Sequence, residues 1–360
     1  MIFLAAGLIS FIGIMAIIAK NKINITTSAM AVVMSLGIVT QGVLSGFTPP
    51  QQLPGDTSKY LSMLDAALWM AFIISFIIAY FQGSFRKVHY DNPINRFGIG
   101  TWVAGTSICG ILLYRQFPQW AVISEAVVWL NIGLWIVYMV ICFKTLYEVP
   151  LDEFRKKAHG VLLLTTVSTQ SMILLTDTVF SVVPNIIHAV WMAIGICFYL
   201  ISSILILNRY LSNAWSLEQD WNNTNCILHG ALSITGIAWL MAGIQPGQTV
   251  IFIWLAALAV FLLVEGLELY RMARRVKAFG IKEGILVYHV TQWSRVFTFA
   301  MFYTFTSLIK FSQGILIQIK EVILSAGLWL VLFLVILEVL LSLATLLKGA
   351  RRHSEEIMEK

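Results

Sequence analysis

The chain has 360 residues, of which 59% are hydrophobic and only 12% charged, with a formal net charge of +6. Soluble domains carry about 25% charged residues, so this balance excludes a soluble globular protein and defines an integral membrane one. The positive residues flank apolar segments, which is a topology signal and gives no reason to expect a nucleic-acid partner.

Eleven apolar stretches have the length that crosses a bilayer. They fall at about 2–19, 27–47, 60–82, 97–114, 119–143, 159–182, 186–207, 226–243, 249–270, 285–309 and 321–347. The gaps between them are short, so no soluble domain fits and no Gly-rich phosphate loop is present. The expected fold is all-α, a polytopic membrane protein of about 11 transmembrane helices. Segment 1 has no positive residue after Met1 and is followed by Lys20 and Lys22, the reverse of a cleaved signal peptide. It reads as a retained extra helix over residues 1–26, ahead of a ten-helix unit (27–347) and a tail (348–360).

The 24 Lys and Arg divide unevenly. Nineteen lie in alternate gaps and the tail, among them Arg86, Lys87, Arg155, Lys156, Lys157, Arg271, Arg274 and Arg275. The other gaps hold four: Lys59, Arg115, Lys310 and Lys320. The bias predicts a multi-pass protein of the cell membrane with its N-terminus outside and its C-terminus in the cytoplasm. The remaining cation is Arg295, inside segment 10. A cation at that depth costs roughly 2.5–3.5 kcal/mol on insertion scales and is expected to be paired or to line a polar path.

Even-numbered segments are rich in small and hydroxyl residues. Segment 4 has Gly98, Gly100, Gly105 and Ser107, segment 6 has Thr165, Ser168 and Ser171, segment 8 has Gly230, Ser233 and Gly236, and segment 10 has Ser294, Thr298 and Thr304. Odd-numbered segments after the first are bulky and apolar. Small residues permit close helix packing; hydroxyls and bare backbone also line hydrated paths. Both explanations place the even helices inside and the odd helices outside. Five repeated hairpins would then surround a central pore, with one additional helix at the start.

Several polar residues carry two readings. Asp65, Glu125, Asp177, Glu265, Glu268 and Glu338 lie within or at the ends of apolar segments, where carboxylates can relay protons. Asp177, Glu265 and Glu268, close to predicted ends, read as interfacial, and the deeper Glu125 and Glu338 serve either as structural partners or in coupling. Glu125 is one candidate to pair with Arg295. His188, His229 and His289 stand on separate segments without metal-ligand spacing, and of these His229, on an inner segment, is the one singled out. Cys109, Cys142, Cys197 and Cys226 show no metal or redox pattern. No metal, cofactor or catalytic site is expected.

The stretch Asp91-Asn92-Pro93-Ile94-Asn95-Arg96-Phe97-Gly98 opens segment 4, and Trp293-Ser294-Arg295-Val296-Phe297-Thr298-Phe299 lies in segment 10. With the five-hairpin pattern, these resemble the tellurite-resistance/dicarboxylate transporter family, which includes TehA-like bacterial anion channels and plant slow-type anion channels. Segments 2–11 would correspond to the family's ten helices. The family's frequent His-Pro is Asn92-Pro93 here, and the Pro-x-Gly of its first helix is absent. The resemblance implies a homotrimer with one pore per subunit and a phenylalanine that plugs each pore. Ungapped alignment at Trp293 points to Phe297. Phe299 shares the Arg295 face at i+4, so helical geometry points there if Arg295 lines the pore. The expected function is a channel or transporter for small anions: chloride, nitrate, sulfite, tellurite or a C4-dicarboxylate. The pore and gate candidates are Phe297, Phe299, Arg295, Gly98, Gly105 and Gly236, with Glu125 and His229 as coupling or structural residues. The alternatives are a proton-coupled carrier of another small solute, or a membrane enzyme or assembly subunit.

Overall fold

The structure is a computed structural model that describes residues 2–46, 56–212, 215–243, 247–312 and 314–358. The described residues are helical and contain no strand. Among the described residues the eleven principal helices are α1 (Ile2–Lys20), α2 (Ala31–Ile38), α3 (Thr57–Phe81), α4 (Gly100–Gln116), α5 (Ala121–Glu148), α6 (Leu164–Val179), α7 (Asn185–Ser212), α8 (Ile227–Met241), α9 (Gln248–Gly284), α10 (Trp293–Leu308) and α11 (Ile315–Met358). Ten of them, counted with their flanking turns, are long and apolar enough to cross a membrane by length and composition. The exception is α10, which packs between two of the others.

The even helices form a closed ring in the order α2, α4, α6, α8, α10 and back to α2. Small or hydroxyl residues mark each seam. Gly105 of α4 lies on Met30, at 3.4 Å from where its Cβ would stand. Ser107 of α4 and Ser171 of α6 share a hydrogen bond of 2.9 Å. Between α6 and α8, the N–H of Gly160 donates to Asn225 Oδ1 at 3.0 Å. Gly230 of α8 faces Thr298 of α10, and Gly42 beyond α2 faces Thr304 of α10. In a membrane, helices associate through close packing and interhelical hydrogen bonds, since lipid tails are as apolar as the side chains. Small residues at the seams let five backbones approach closely enough to close the ring.

Outer helices are tied on by a recurring device. The indole Nε1 of an outer-helix tryptophan donates to a threonine hydroxyl on an inner helix: Trp69 to Thr106 at 2.9 Å, Trp135 to Thr169 at 3.0 Å and Trp254 to Thr306 at 3.0 Å. Most other inner hydroxyls donate to a carbonyl one turn back, as Thr176, Ser233, Thr235 and Thr304 do. The hydroxyl enrichment therefore supplies joints between helices and local backbone satisfaction.

Every inner helix is entered through a 3₁₀ turn: Thr27–Met30, Phe97–Ile99, Gly160–Leu163, Asn223–Cys226 and Val290–Gln292. Four side chains accept a backbone N–H two residues on, three as caps of these turns and Asn92 as cap of the short helix Pro93–Arg96 that leads into Phe97–Ile99. They are Asn92, His159, Asn222 and His289. This recurrence is the local signature of the repeat.

Boundaries differ from expectation in three places. Residues 285–289 precede α10 instead of forming its first turn, because the capping box of His289 and Gln292 starts the helix at Val290. Helix α9 continues past the apolar stretch to Gly284, with a kink at Gly280 (φ 74°). Residues 348–358, expected as a tail, continue α11. Phe47, the last residue of predicted segment 2, and Lys360 lie outside the described residues.

Candidate functional site

Helix α10 shows how the ring is oriented. Its α2 side carries the Trp293 carbonyl, which accepts from Ser35 Oγ at 2.6 Å, and Thr304 over Gly42. Its α8 side carries Thr298 over Gly230 and Phe305 over Gly236. Its outward side carries Phe302, stacked on Phe261 of α9 at 5.0 Å, and Thr306, bonded to Trp254. With 3.6 residues per turn, the side left between the α2 and α8 contacts, facing the ring axis, belongs to Phe297 and Met301. Phe297 is 1% exposed and Met301 is 0% exposed.

Phe299 points the other way. Its ring meets Phe261 of α9 edge-on at 4.9 Å and lies 6.0 Å from the His229 ring. Arg295, on the same side of α10, also faces α9. Its Nε lies 3.1 Å from Glu265 Oε2 and its Nη2 lies 3.3 Å from Glu268 Oε2. These contacts are ion pairs by distance and are not aligned as hydrogen bonds. Glu268 Oε1 also accepts from Arg271 Nη1 at 2.9 Å, and that nitrogen reaches Asn223 Oδ1 at 2.9 Å. His229 Nε2 stands 3.5 Å from Glu265 Oε1. Two guanidiniums and two carboxylates thus offset each other at the joint of α8, α9 and α10. Arg295 is placed in this joint and away from the axis, because two carboxylates on one face of α9 solvate it better than an apolar ring interior would. Glu125 is exposed on the outward face of α5 and takes no part. The candidate pairing of Glu125 with Arg295 is not made; Glu265 and Glu268 take that part.

The three candidate glycines lie at helix seams. Gly98 lies against Thr27 and Gly105 against Met30. The ring of Phe305 fills the space a Cβ on Gly236 would need. Their bare backbone is used for close approach between inner helices.

Cavities lie at both ends of the ring. At the C-terminal ends of the five inner helices is one of about 790 Å³, lined by residues from all five, among them Gln41, Arg115, Asp177, Thr178, Met241 and Leu308. On the N-terminal side is one of about 300 Å³, lined by Asn92, Lys156, His159, Arg209 and Asn222. The apolar interior between them includes Phe297 and Met301.

Three polar groups stand out in the structure, of which sequence reasoning singles out Asp65 and misses the two amides. The amide of Gln41, the amide of Gln170 and the carboxylate of Asp65 are buried without a hydrogen-bond partner among the described residues. The available signal was a single uncharged amide or acid inside an otherwise apolar window. Arg115, assigned to a loop, instead ends α4 and lines the larger cavity.

A closed ring of five inner helices braced by outer helices, with a cavity toward each end and Phe297 buried in the apolar interior between them, is the architecture of an all-α polytopic membrane protein. The chain matches the voltage-dependent anion channel (SLAC1) family over residues 24–340 and belongs to that family. This is the tellurite-resistance/dicarboxylate transporter family of the resemblance, and it makes the chain a membrane channel or transporter for anions. The match begins after α1. No curated protein matches the chain.

Proposed function

We propose that the ring axis is a conduction path for small anions of the chloride, nitrate or sulfite class, and that Phe297 closes it. The observation that carries this reading is the position of Phe297, buried and on the side of α10 that is committed to none of α2, α8, α9 and α11. Phe299 and Arg295 belong to the brace outside the path. Anion preference has a backbone source: the five inner helices begin on the same side, each with a positive macrodipole end, and the entries of α4, α6 and α8 line the cavity at this mouth together with Lys156 and Arg209. The positive-inside bias puts that mouth in the cytoplasm. A homotrimer with one path per subunit follows from the resemblance, with the apolar outer faces meeting lipid or a second copy.

A second reading, a proton-coupled carrier, draws on Asp65. It is 1% exposed and has no partner for either carboxylate oxygen among the described residues, so it is a group able to carry a proton.

The test is flux of an anion panel in proteoliposomes. Each factor of ten in rate corresponds to about 1.4 kcal/mol of barrier, and removing an aromatic plug should raise flux about tenfold or more in Phe297→Ala. Phe299→Ala should leave conduction near wild type. Absence of flux for every anion in Phe297→Ala refutes the channel reading. Flux that follows a pH gradient and is lost in Asp65→Asn supports the carrier.

A further inference from the structure

The cavity at the C-terminal mouth holds a polar group without a partner. Gln41 is 2% exposed, and neither its amide nitrogen nor its amide oxygen has a hydrogen-bond partner among the described residues. It nevertheless lines the cavity, one turn deeper than Ser45. A buried amide left unsatisfied costs about 1–3 kcal/mol, so such groups are usually met by water, an ion or a ligand. Gln41 also sits inside the π-helical turn Val39–Leu44, where Ser45 N–H reaches back to the Thr40 carbonyl at 3.0 Å. Turns of this kind insert a residue into the helical repeat and recur at functional sites. Arg115 lines the same cavity from the end of α4, and Asp177 and Thr178 line it from the end of α6.

The electrostatics at this mouth are unlike those at the other. Five helix C-termini converge here, each carrying a partial negative charge, and Asp177 adds a full one. An anion passing this end meets repulsion that Arg115 offsets, the one cation among the described residues lining the cavity. The amide of Gln41 adds N–H donors at the deep end.

We propose that Gln41 and Arg115 form a binding site for a small monovalent anion at the C-terminal mouth. The inference rests on the anion-path reading above and adds to it a second point of selectivity, separate from Phe297. The guanidinium and the Gln41 nitrogen donate to the anion, while the Gln41 oxygen accepts from a hydration water. The cavity, at about 790 Å³, admits an anion with its water shell. One guanidinium opposed by Asp177 and five helix ends favours a single negative charge and penalises a double one.

The test uses the full chain in proteoliposomes on a Phe297→Ala background. Nitrate flux is measured against nitrate concentration applied at each face. A hydrogen bond to a charged partner has a strength that converts to about tenfold in affinity. The half-saturating nitrate at the C-terminal mouth should therefore rise about tenfold in Gln41→Leu and at least as much in Arg115→Gln, with partial rescue in Arg115→Lys. Asp177→Asn should increase sulfate flux relative to nitrate. Half-saturation within about twofold of the parent in both Gln41→Leu and Arg115→Gln overturns the site while leaving the channel reading intact. A second measurement does not need conduction: a Thr178→Cys variant on a Cys197→Ser background is modified by an anionic methanethiosulfonate reagent. Nitrate should slow the modification saturably, and Gln41→Leu should abolish the protection. Protection without flux would refute the path and retain the site; absence of saturable protection refutes the site.

Discussion

The guanidinium of Arg295 illustrates what one residue in a membrane interior demands. Its charge is answered by Glu265 and Glu268, and Glu268 is answered again by Arg271. Removing one member of a buried ion pair strands the other, at a cost of about 3–5 kcal/mol. Arg295→Gln is therefore expected to lower thermal stability in detergent by an amount in that range, with anion selectivity preserved in the folded fraction. A changed nitrate-to-chloride ratio in the folded variant would place the guanidinium back in the path. The double variant Arg295→Gln/Glu265→Gln should recover part of the lost stability, since it removes a stranded charge. That Arg295 must be either paired or on a polar path was legible from the sequence, because an isolated cation at membrane depth is too costly; which of the two was not. Nor were its partners. Glu265 and Glu268 stand near the end of an apolar segment, where a carboxylate reads as interfacial, and nothing in the periodicity of one helix states which side a neighbour presents. The same gap left two phenylalanines open: Phe299 was a gate candidate on the premise that Arg295 faced the pore, and both turn toward α9.

Among the elements, the entries to the inner helices are the most regular feature. His159 takes at its position the part that Asn92 and Asn222 take at theirs, accepting the Val161 N–H and sharing a 2.9 Å hydrogen bond with Thr224 Oγ1. Burial, reinforced by the Arg209 charge, holds its imidazole down at about 4. Burial also holds His89, packed against Phe76 and Trp102, down at about 4. Both rings are neutral in the folded protein, whereas an unfolded histidine titrates near 6.5. Their contribution is complete above about pH 6.5 and declines as pH falls from there toward 4, with a slope of up to about 1.4 kcal/mol per unit for each ring. A thermal melt series from pH 7.5 to 4.5 should show this loss, and His159→Asn, which keeps the cap, should flatten it. His159→Ala removes the cap and should cost about 1 kcal/mol even at pH 7.5. A melt series that is flat in wild type, or equally steep in His159→Asn, would contradict the assignment. The seams make a matching demand. At Gly236 a side chain would occupy the place of the Phe305 ring, so Gly236→Val should destabilise the protein by overpacking, typically about 1–3 kcal/mol, with relief from Phe305→Leu. Helix existence and the alternation of inner and outer helices were readable from segment length and composition. The uses of the small residues were not, because packing seams and lumen lining draw on the same residue types. Only the neighbours of Gly98, Gly105 and Gly236 separate the two.

For the whole molecule, the decisive property is that the ring closes through α10 and α2, joining the last inner helix to the first. Closure is long-range: Ser35 and Trp293 meet across 258 positions. No local pattern announces such a contact, though a fivefold repetition of hairpins makes an open arc the less stable outcome, since its two end helices would expose polar seams to lipid. Helix α1 stands outside this logic. None of its described residues is buried, and its contacts are with α3 and the α4–α5 connection: Gly7 lies against Met63, and Phe3 meets Tyr60 at 5.1 Å and Phe117 at 5.9 Å. It contributes no residue to the ring or to either cavity, and it precedes the family match. Deleting residues 2–19 while keeping Lys20 and Lys22 preserves the positive flank that orients α2. The shortened chain should still insert, assemble the ring and conduct in the Phe297→Ala background at a rate within a few-fold of the full chain. Its thermal midpoint should fall only slightly, because the surface uncovered on α3 is apolar and meets lipid instead. Flux measured in parallel on the two lengths decides the matter: if the deletion abolishes conduction while the protein remains folded and correctly inserted, α1 acts on the path through α3, and the independence of the five-hairpin unit fails.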